Sequence, residues 1–81
     1  MLLKNKQLKF EKKRAGRYIA KPSSNITVEI MWQPEAKNWY VGLLEVTRWG
    51  YTKEIAETFC KTKKEAIEWV TYQYLCEFGS I

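Results

Sequence analysis

Hydrophobic and polar residues alternate most regularly between residues 26 and 32. The apolar positions, which share one side of an extended chain, are Ile26, Val28, Ile30 and Trp32. This period of two predicts a β-strand with one buried face, and it places Trp32 in the core. The loop that follows, at residues 33–38, contains a proline and predicts a hairpin, because proline removes a backbone donor from a strand.

Two further strands are predicted on either side of a tight turn. Residues 39–47 are rich in aromatic and branched side chains, which favour extended structure, and residues 52–59 form the next strand. Gly50 lies between them and is able to adopt the positive φ that such a turn requires. Gly42, inside the first of these strands, marks either a β-bulge or a close backbone approach.

The N-terminal part of the chain is less clearly patterned. Residues 17–21 predict a short strand that ends at the turn-forming residues 22–25. Residues 7–11 are long enough for either a short strand or a helical turn. The predicted sheet therefore has three or four strands.

The C-terminal part of the chain predicts a helix from Lys63 to about Glu77. Thr62 and Glu65 form a capping box at its start, and Gly79 ends it. One helix face gathers the apolar residues that should lie on the sheet: Ala66, Ile67, Val70, Tyr74 and Phe78. A second stripe, roughly opposite, contains Trp69, Tyr72 and Cys76.

These elements predict an α+β fold, in which an antiparallel three- or four-stranded sheet has one C-terminal helix packed on one face, in the order β-β-β-β-α. A chain of 81 residues has room for one domain, which we place at residues 17–81. Residues 1–16 precede it as a basic N-terminal arm. The 46% hydrophobic content is enough for a compact core.

Charge is distributed unevenly along the chain, although the formal net charge is +5. Residues 1–21 contain eight basic residues against Glu11 alone, whereas residues 22–81 contain six basic residues and eight glutamates. The basic character therefore belongs to the N-terminal residues. Such asymmetry is typical of a segment that binds an anionic partner.

Nucleic acid, either DNA or RNA, is the anionic partner that this segment predicts. Its candidate phosphate contacts are Lys4, Lys6, Lys9, Lys12, Lys13, Arg14, Arg17 and Lys21. Binding through phosphates would be salt-sensitive and indifferent to sequence, and Tyr18 could add stacking on unpaired bases. The alternatives are a solvated tail, pairing with the acidic body of the chain, or contact with an acidic protein. No membrane partner is expected, because the segment lacks an amphipathic apolar face.

An aromatic-led strand at Trp39, a turn at Gly50, a third strand and the helix start "TKKEA" at residues 62–66 follow one another within about 40 residues. In this order, over about residues 38–70, they resemble the AP2-like arm-type DNA-binding domain of phage and transposon tyrosine integrases. Phe59 stands one residue before the place of the family's aromatic. The resemblance implies that the exposed sheet face meets DNA through residues that include Thr27, Thr47, Arg48 and Lys53.

Carboxylates and exposed aromatics predict a different surface, one for protein. Glu29, Glu45 and Glu57, with Glu54 nearby, would form an acidic patch for a basic partner, and they would repel phosphates. Cross-strand pairing with Lys53 and ordinary solvation is the simpler interpretation of these glutamates. The candidate aromatic contacts are Trp49 and Tyr51 in the turn and Trp69 and Tyr72 on the helix. An N-terminal segment that wraps around the domain could equally cover the last two.

The composition argues against catalysis. The chain has no histidine and no aspartate, and its glycines are too scattered to form a phosphate-binding loop. Cys60 and Cys76 lack the spacing of a metal site, so we expect no metal, no cofactor and no enzymatic activity. The chain has neither a signal peptide nor an apolar run long enough to span a bilayer, which predicts a cytoplasmic protein with reduced thiols.

Two functions are therefore expected, and the oligomeric state is left open. The first is a small non-catalytic nucleic-acid-binding protein of phage or mobile-element type, which contacts phosphates mainly through the N-terminal arm. The second is a compact protein-binding module or phage-encoded inhibitor (an anti-CRISPR-like role), which docks through the acidic sheet face and the exposed aromatics.

Overall fold

The computed structural model describes residues 8–79. Its elements are β1 (Glu11–Arg14), β2 (Arg17–Ser23), β3 (Ile26–Gln33), β4 (Asn38–Val46), β5 (Thr52–Cys60) and α1 (Lys63–Phe78). The strands form one open antiparallel sheet in the order β1-β2-β3-β4-β5, with α1 packed against it. The predicted α+β fold with one C-terminal helix is confirmed.

Within residues 8–79 the sheet has five strands rather than three or four. The additional edge strand, β1, has the sequence EKKR, and all four of its residues are exposed. A strand without a buried residue shows no hydrophobic alternation, so the sequence pattern could not reveal it. Just before it, Leu8 is buried with only 6% of its surface exposed. Part of the segment predicted as the arm thus belongs to the core and the sheet.

The core lies between α1 and one face of the sheet. The buried residues of the sheet and the segment before it are Leu8, Ala20, Ile26, Val28, Ile30, Val41 and Leu43, and those of the helix are Ala66, Val70 and Tyr74. The alternation at residues 26–30 is confirmed, because each apolar residue there is buried and each polar one is not. Burial of each aliphatic side chain stabilises the fold by about 1.5–3 kcal/mol.

Trp32 is the exception, and its predicted place in the core is wrong. Its side chain lies on the helix side of the sheet but remains 39% exposed. It lies near the end of β3, where its ring packs on Trp39 with 5.3 Å between ring centroids. A period of two fixes the face of a strand but not how far along it the opposing helix extends.

Both ends of α1 follow the predicted capping. The Thr62 hydroxyl accepts a hydrogen bond from the Glu65 backbone N–H at 3.1 Å, and the Glu65 carboxylate accepts one from the Lys61 N–H at 3.2 Å. The second bond reaches one residue before the cap instead of the cap itself. Gly79 has φ 85°, and its N–H donates to the Leu75 carbonyl. Within residues 8–79, no helix has the length and apolarity needed to cross a membrane.

The turns differ from the sequence prediction at one place. Gly50 has φ 87° in the β4–β5 turn, as predicted. The predicted turn at residues 22–25 begins later, because β2 extends through Pro22 to Ser23. The register between β2 and β3 shifts between Ala20 and Ser23, and such an irregularity tolerates a residue that has no backbone donor.

Candidate functional site on the open face of the sheet

The sheet face that points away from α1, here called the open face, carries the candidate site. Residues directly opposite one another on paired strands project to the same face. Strand register therefore places one residue of each strand in a continuous row, here called the Arg–aromatic row: Arg14, Arg17, Met31, Tyr40 and Phe59. The row is basic at the β1 edge of the sheet and aromatic at the β5 edge.

An open hollow, here called the basic hollow, lies at the basic end of this row. It is lined by Lys13, Arg14, Arg17, Ile19, Lys21 and Thr27. These residues come from β1, β2 and β3, so the β1–β2 hairpin is what brings the cations together. Four cations around one hollow create a local positive field in a chain whose remaining surface is rich in glutamate.

Two of the four cations are paired with carboxylates. Arg17 donates from both Nη2 (2.6 Å) and Nε (3.2 Å) to one oxygen of Glu29, which holds the guanidinium against the sheet. Lys13 pairs with Glu11 at 3.1 Å. Arg14 and Lys21 form no ion pair within residues 8–79. An anionic ligand can therefore bind Arg14 and Lys21 without displacing a carboxylate.

A second row runs beside the first and contains Glu11, Ile19, Glu29, Gly42 and Glu57. Glu57 lies on β5, at the edge opposite the basic hollow. Glu54, two pairs further along the same hairpin, interacts with it, and hydrogen bonding to Glu57 raises the pKa of Glu54. The open face is thus polarised, with basic residues at one edge and glutamates at the other.

Tyr40 lies folded down on the sheet in the middle of this face. A methyl group on Gly42 would collide with the hydroxyl end of the Tyr40 ring, so the glycine provides the space that the ring occupies. The predicted alternatives are a bulge or a close backbone approach; the glycine instead accommodates a side chain, and the register irregularity of β4 lies one residue later, between Leu43 and Leu44. Burial, followed by hydrogen bonding to Glu57 and the charges of Glu54 and Glu29, raises the pKa of Tyr40 to about 12. The hydroxyl therefore stays protonated to a higher pH than that of an ordinary tyrosine.

Phe59 completes the aromatic end of the row. Its ring lies 5.7 Å from that of Tyr40, centroid to centroid, with the two planes inclined at 62°. It remains 53% exposed, because β5 is an edge strand and no element of residues 8–79 covers its outer side. Tyr40 and Phe59 together present an apolar surface beside the sheet edge.

The structure gathers some of the predicted nucleic-acid contacts and separates others. Lys13, Arg14, Arg17 and Lys21 line the basic hollow. Lys12 is opposite Tyr18 and projects to the helix side, and Lys9 is exposed before β1. The Tyr18 ring is partly buried against Trp39 and has the Lys63 ammonium 3.9 Å from its centre, so protein groups already contact this ring. Lys4 and Lys6 lie outside the described residues.

Of the contacts implied by the family resemblance, Thr27 lines the basic hollow, whereas Arg48 and Lys53 lie away from it. Arg48 is exposed in the β4–β5 turn, with its guanidinium 5.9 Å from the centre of the Trp49 ring. Lys53 is exposed at the start of β5 and is opposite Glu45. Neither residue belongs to the row or to the hollow.

The predicted protein-interface residues do not form one surface. Glu29 and Glu57 flank Gly42 on the open face, whereas Glu45 is opposite Ile26 and projects to the helix side. The exposed aromatics are Trp49 and Tyr51 in the β4–β5 turn and Tyr72 on α1. Trp69 is partly buried against the core. The acidic patch and the aromatic patch are thus separate features.

Sequence reasoning missed the aromatic end of the row. Residues 39–44 are apolar at nearly every position, which hides the alternation that assigns Tyr40 to the face opposite Val41. The β4–β5 register shifts between Leu43 and Leu44, so the pairing of Tyr40 with Phe59 does not follow from counting back from the turn. A glycine directly beside an aromatic-rich segment was the one available signal.

No protein family model, curated protein or solved structure matches this chain. Among residues 8–79, no group of three or more metal-binding side chains lies close enough together to hold an ion. What the site offers chemically is a cationic hollow joined by an ordered arginine to a pair of partly exposed aromatic rings.

Proposed function

We propose that this chain is a small non-catalytic nucleic-acid-binding protein, cytoplasmic and of phage or mobile-element type, that contacts phosphates through its basic N-terminal residues. The observation that supports the proposal is the meeting of Lys13, Arg14, Arg17 and Lys21 at one hollow on the open face. The phage or mobile-element context rests on the resemblance of residues 38–70 to the integrase arm domain.

The chemistry of the hollow suits phosphate. Arginine presents a planar set of donors that matches phosphate oxygens, and lysine adds a mobile point charge. Cations that neutralise phosphates release condensed counterions, and this release supplies binding free energy without any reading of the bases. Four such contacts would give a slope of about −3 in a plot of log affinity against log salt concentration.

The carboxylates of the open face do not cancel this field. Glu29 and Glu11 are already engaged by Arg17 and Lys13. Glu54 and Glu57 lie on β5, three strands from β2, which corresponds to about 14 Å at the usual strand spacing. That separation exceeds the screening length of about 10 Å at 0.1 M salt.

Fluorescence anisotropy with labelled DNA and RNA oligonucleotides tests the proposal, with titrations between about 50 and 200 mM salt. The double variant Arg14→Ala/Lys21→Ala removes the two cations that have no carboxylate partner in the described part of the chain. We expect weaker binding and a salt slope that is less steep by about 1.5. Lys61→Ala/Lys64→Ala changes the net charge equally, but away from the hollow, and serves as the matched control.

Two outcomes would contradict the proposal. The wild-type chain could show no affinity for any of the oligonucleotides at about 100 mM salt. Alternatively, the hollow variant and the control variant could lose affinity to the same extent, which would assign binding to net charge alone. A third pair of substitutions, Lys4→Ala/Lys6→Ala, measures what the first residues of the arm add to the slope.

A second candidate function is protein docking, and the exposure of the β4–β5 turn favours it. Trp49 and Tyr51 are 76% and 72% exposed, which is unusual for large aromatic side chains unless a partner covers them. Arg48 lies over the Trp49 ring and would contribute a polar contact at the same place. Docking centred on these rings would respond weakly to salt, in contrast to phosphate binding.

A further inference from the structure

The Arg–aromatic row joins two chemistries that a nucleotide chain also joins. Its basic end, at Arg14 and Arg17, suits phosphate, and its other end presents the exposed ring of Phe59 beside Tyr40. Met31 lies between them and gives the middle of the row an apolar surface. The row crosses all five strands at nearly right angles to them, over about 19 Å at the usual strand spacing.

We propose that a single-stranded nucleic acid lies across the strands along this row, with its phosphates at the Arg14 and Arg17 end and an unpaired base stacked on Phe59. The inference rests on the proposed function and specifies its ligand. It differs from the contact implied by the integrase resemblance, in which the sheet face meets duplex DNA.

The exposure and support of the Phe59 ring favour stacking. Slightly more than half of the side chain is open to solvent, so a base can cover it. Its inner side leans on Tyr40, which is in turn held down over Gly42, so the platform is fixed before the ligand arrives. Stacking on a fixed aromatic ring accepts any base, because every base has a π-face.

An unpaired strand fits this arrangement and a duplex does not. In a duplex the faces of the bases are covered by their neighbours in the stack, and only their edges remain accessible. The aromatic end of the row offers ring surface, whereas the row itself contains no amide side chain and its guanidinium groups lie at the opposite end.

The glutamates on β5 determine at which end of the row the phosphates of the nucleic acid lie. Glu57 and Glu54 lie beside the aromatic end, where their charge repels phosphates. An uncharged base is tolerated there, while phosphates are favoured at the end of the row that carries the arginines. The polarised face therefore favours one arrangement of phosphate and base over its reverse.

The test compares three ligands of equal length by fluorescence anisotropy: single-stranded oligodeoxycytidine, the same backbone with abasic sites, and a mixed-sequence duplex. The proteins are the wild type and Phe59→Ala, with Tyr72→Ala as the control that removes an exposed aromatic ring from α1. Phe59→Leu keeps an apolar side chain but removes the ring, so it separates the loss of stacking from a defect in folding. Thermal unfolding is recorded for each variant.

We expect the wild type to bind the single strand more tightly than either the abasic strand or the duplex. Phe59→Ala and Phe59→Leu should weaken binding of the single strand roughly 5- to 100-fold, with the salt slope unchanged, and Tyr72→Ala should not. The affinity for the abasic strand should be the same in the wild type and in the Phe59 variants.

If the Phe59 variants bind the single strand as the wild type does, or if the duplex or the abasic strand binds as tightly, the inference is wrong and the proposed function stands. If the wild type binds none of the three ligands and no RNA oligonucleotide either, both are wrong.

Discussion

At the scale of single residues, the contact between Tyr40 and Gly42 determines the character of the open face. The absence of a side chain at Gly42 allows the Tyr40 ring to lie against the sheet. In this position the hydroxyl is partly withdrawn from water and lies near Glu57, so its pKa is raised to about 12. The lack of a side chain at Gly42 therefore has two effects. It allows the Tyr40 ring to lie where it supports Phe59, and it places the Tyr40 hydroxyl where its proton is retained to a higher pH.

Glu57→Gln tests this arrangement, because it removes the carboxylate but leaves the burial. We expect the pKa of Tyr40 to fall from about 12 towards 10, without reaching it, since burial is the larger cause. Phenolate absorbance against pH measures the shift, and Tyr40→Phe identifies which titration belongs to Tyr40.

The same substitution has a defined effect on stability. Because the pKa of Tyr40 is raised in the folded protein, this residue contributes stability that is fully present below the ordinary tyrosine pKa of about 10. The contribution is lost as the pH rises through about 12. Wild type should therefore lose more stability than Glu57→Gln as the pH rises from about 10 to about 12. An unchanged Tyr40 titration in the variant would show that the carboxylate does not contact the hydroxyl.

At the scale of elements, β1 shows how an all-charged segment becomes a strand. Its pairing with β2 orders Lys13 and Arg14, yet none of its side chains is buried. The apolar anchor is outside the strand, at Leu8, which belongs to the core cluster. The basic hollow is thus tied to the core by apolar residues that precede the charges, the buried Leu8 and the partly buried Phe10.

Leu8→Ala should therefore destabilise the protein by about 2–5 kcal/mol, because it leaves a cavity in the core. For a domain of this size such a loss is a large part of the total stability. Urea unfolding measures the effect, and Lys9→Ala, at the neighbouring exposed position, is the control. Equal stability of the two variants would show that residues 8–14 are an appendage to the domain instead of a part of it.

The elements with a buried face were predictable and those without one were not. The strand β3 was predictable from Ile26, Val28 and Ile30, because a strand covered on one side needs an apolar residue at every second position. The ends of α1 were predictable from Thr62 and Gly79, because these residues satisfy backbone N–H and C=O groups that have no partner within a helix. Residues 11–14 have no such requirement, so their pairing with β2 is determined by the chain on either side.

At the scale of the whole molecule, the candidate site is a property of strand register. The cations of the hollow were all recognised in the sequence, but their meeting depends on the β1–β2 hairpin. Tyr40 and Phe59 are 19 positions apart in sequence and become neighbours only through a hairpin that contains an irregular pair. Residue types alone therefore revealed the basic half of the site and not the aromatic half.

The opposite charges of the two sheet edges have a kinetic consequence. A polyanion that approaches the molecule is attracted to the β1–β2 edge and repelled from β5, so the first encounter already has the orientation of the bound state. Added salt should then reduce the association rate constant more strongly than it raises the dissociation rate constant. Stopped-flow fluorescence of the labelled oligonucleotide would separate the two, and Arg14→Ala/Lys21→Ala should slow capture while leaving release from the aromatic end nearly unchanged.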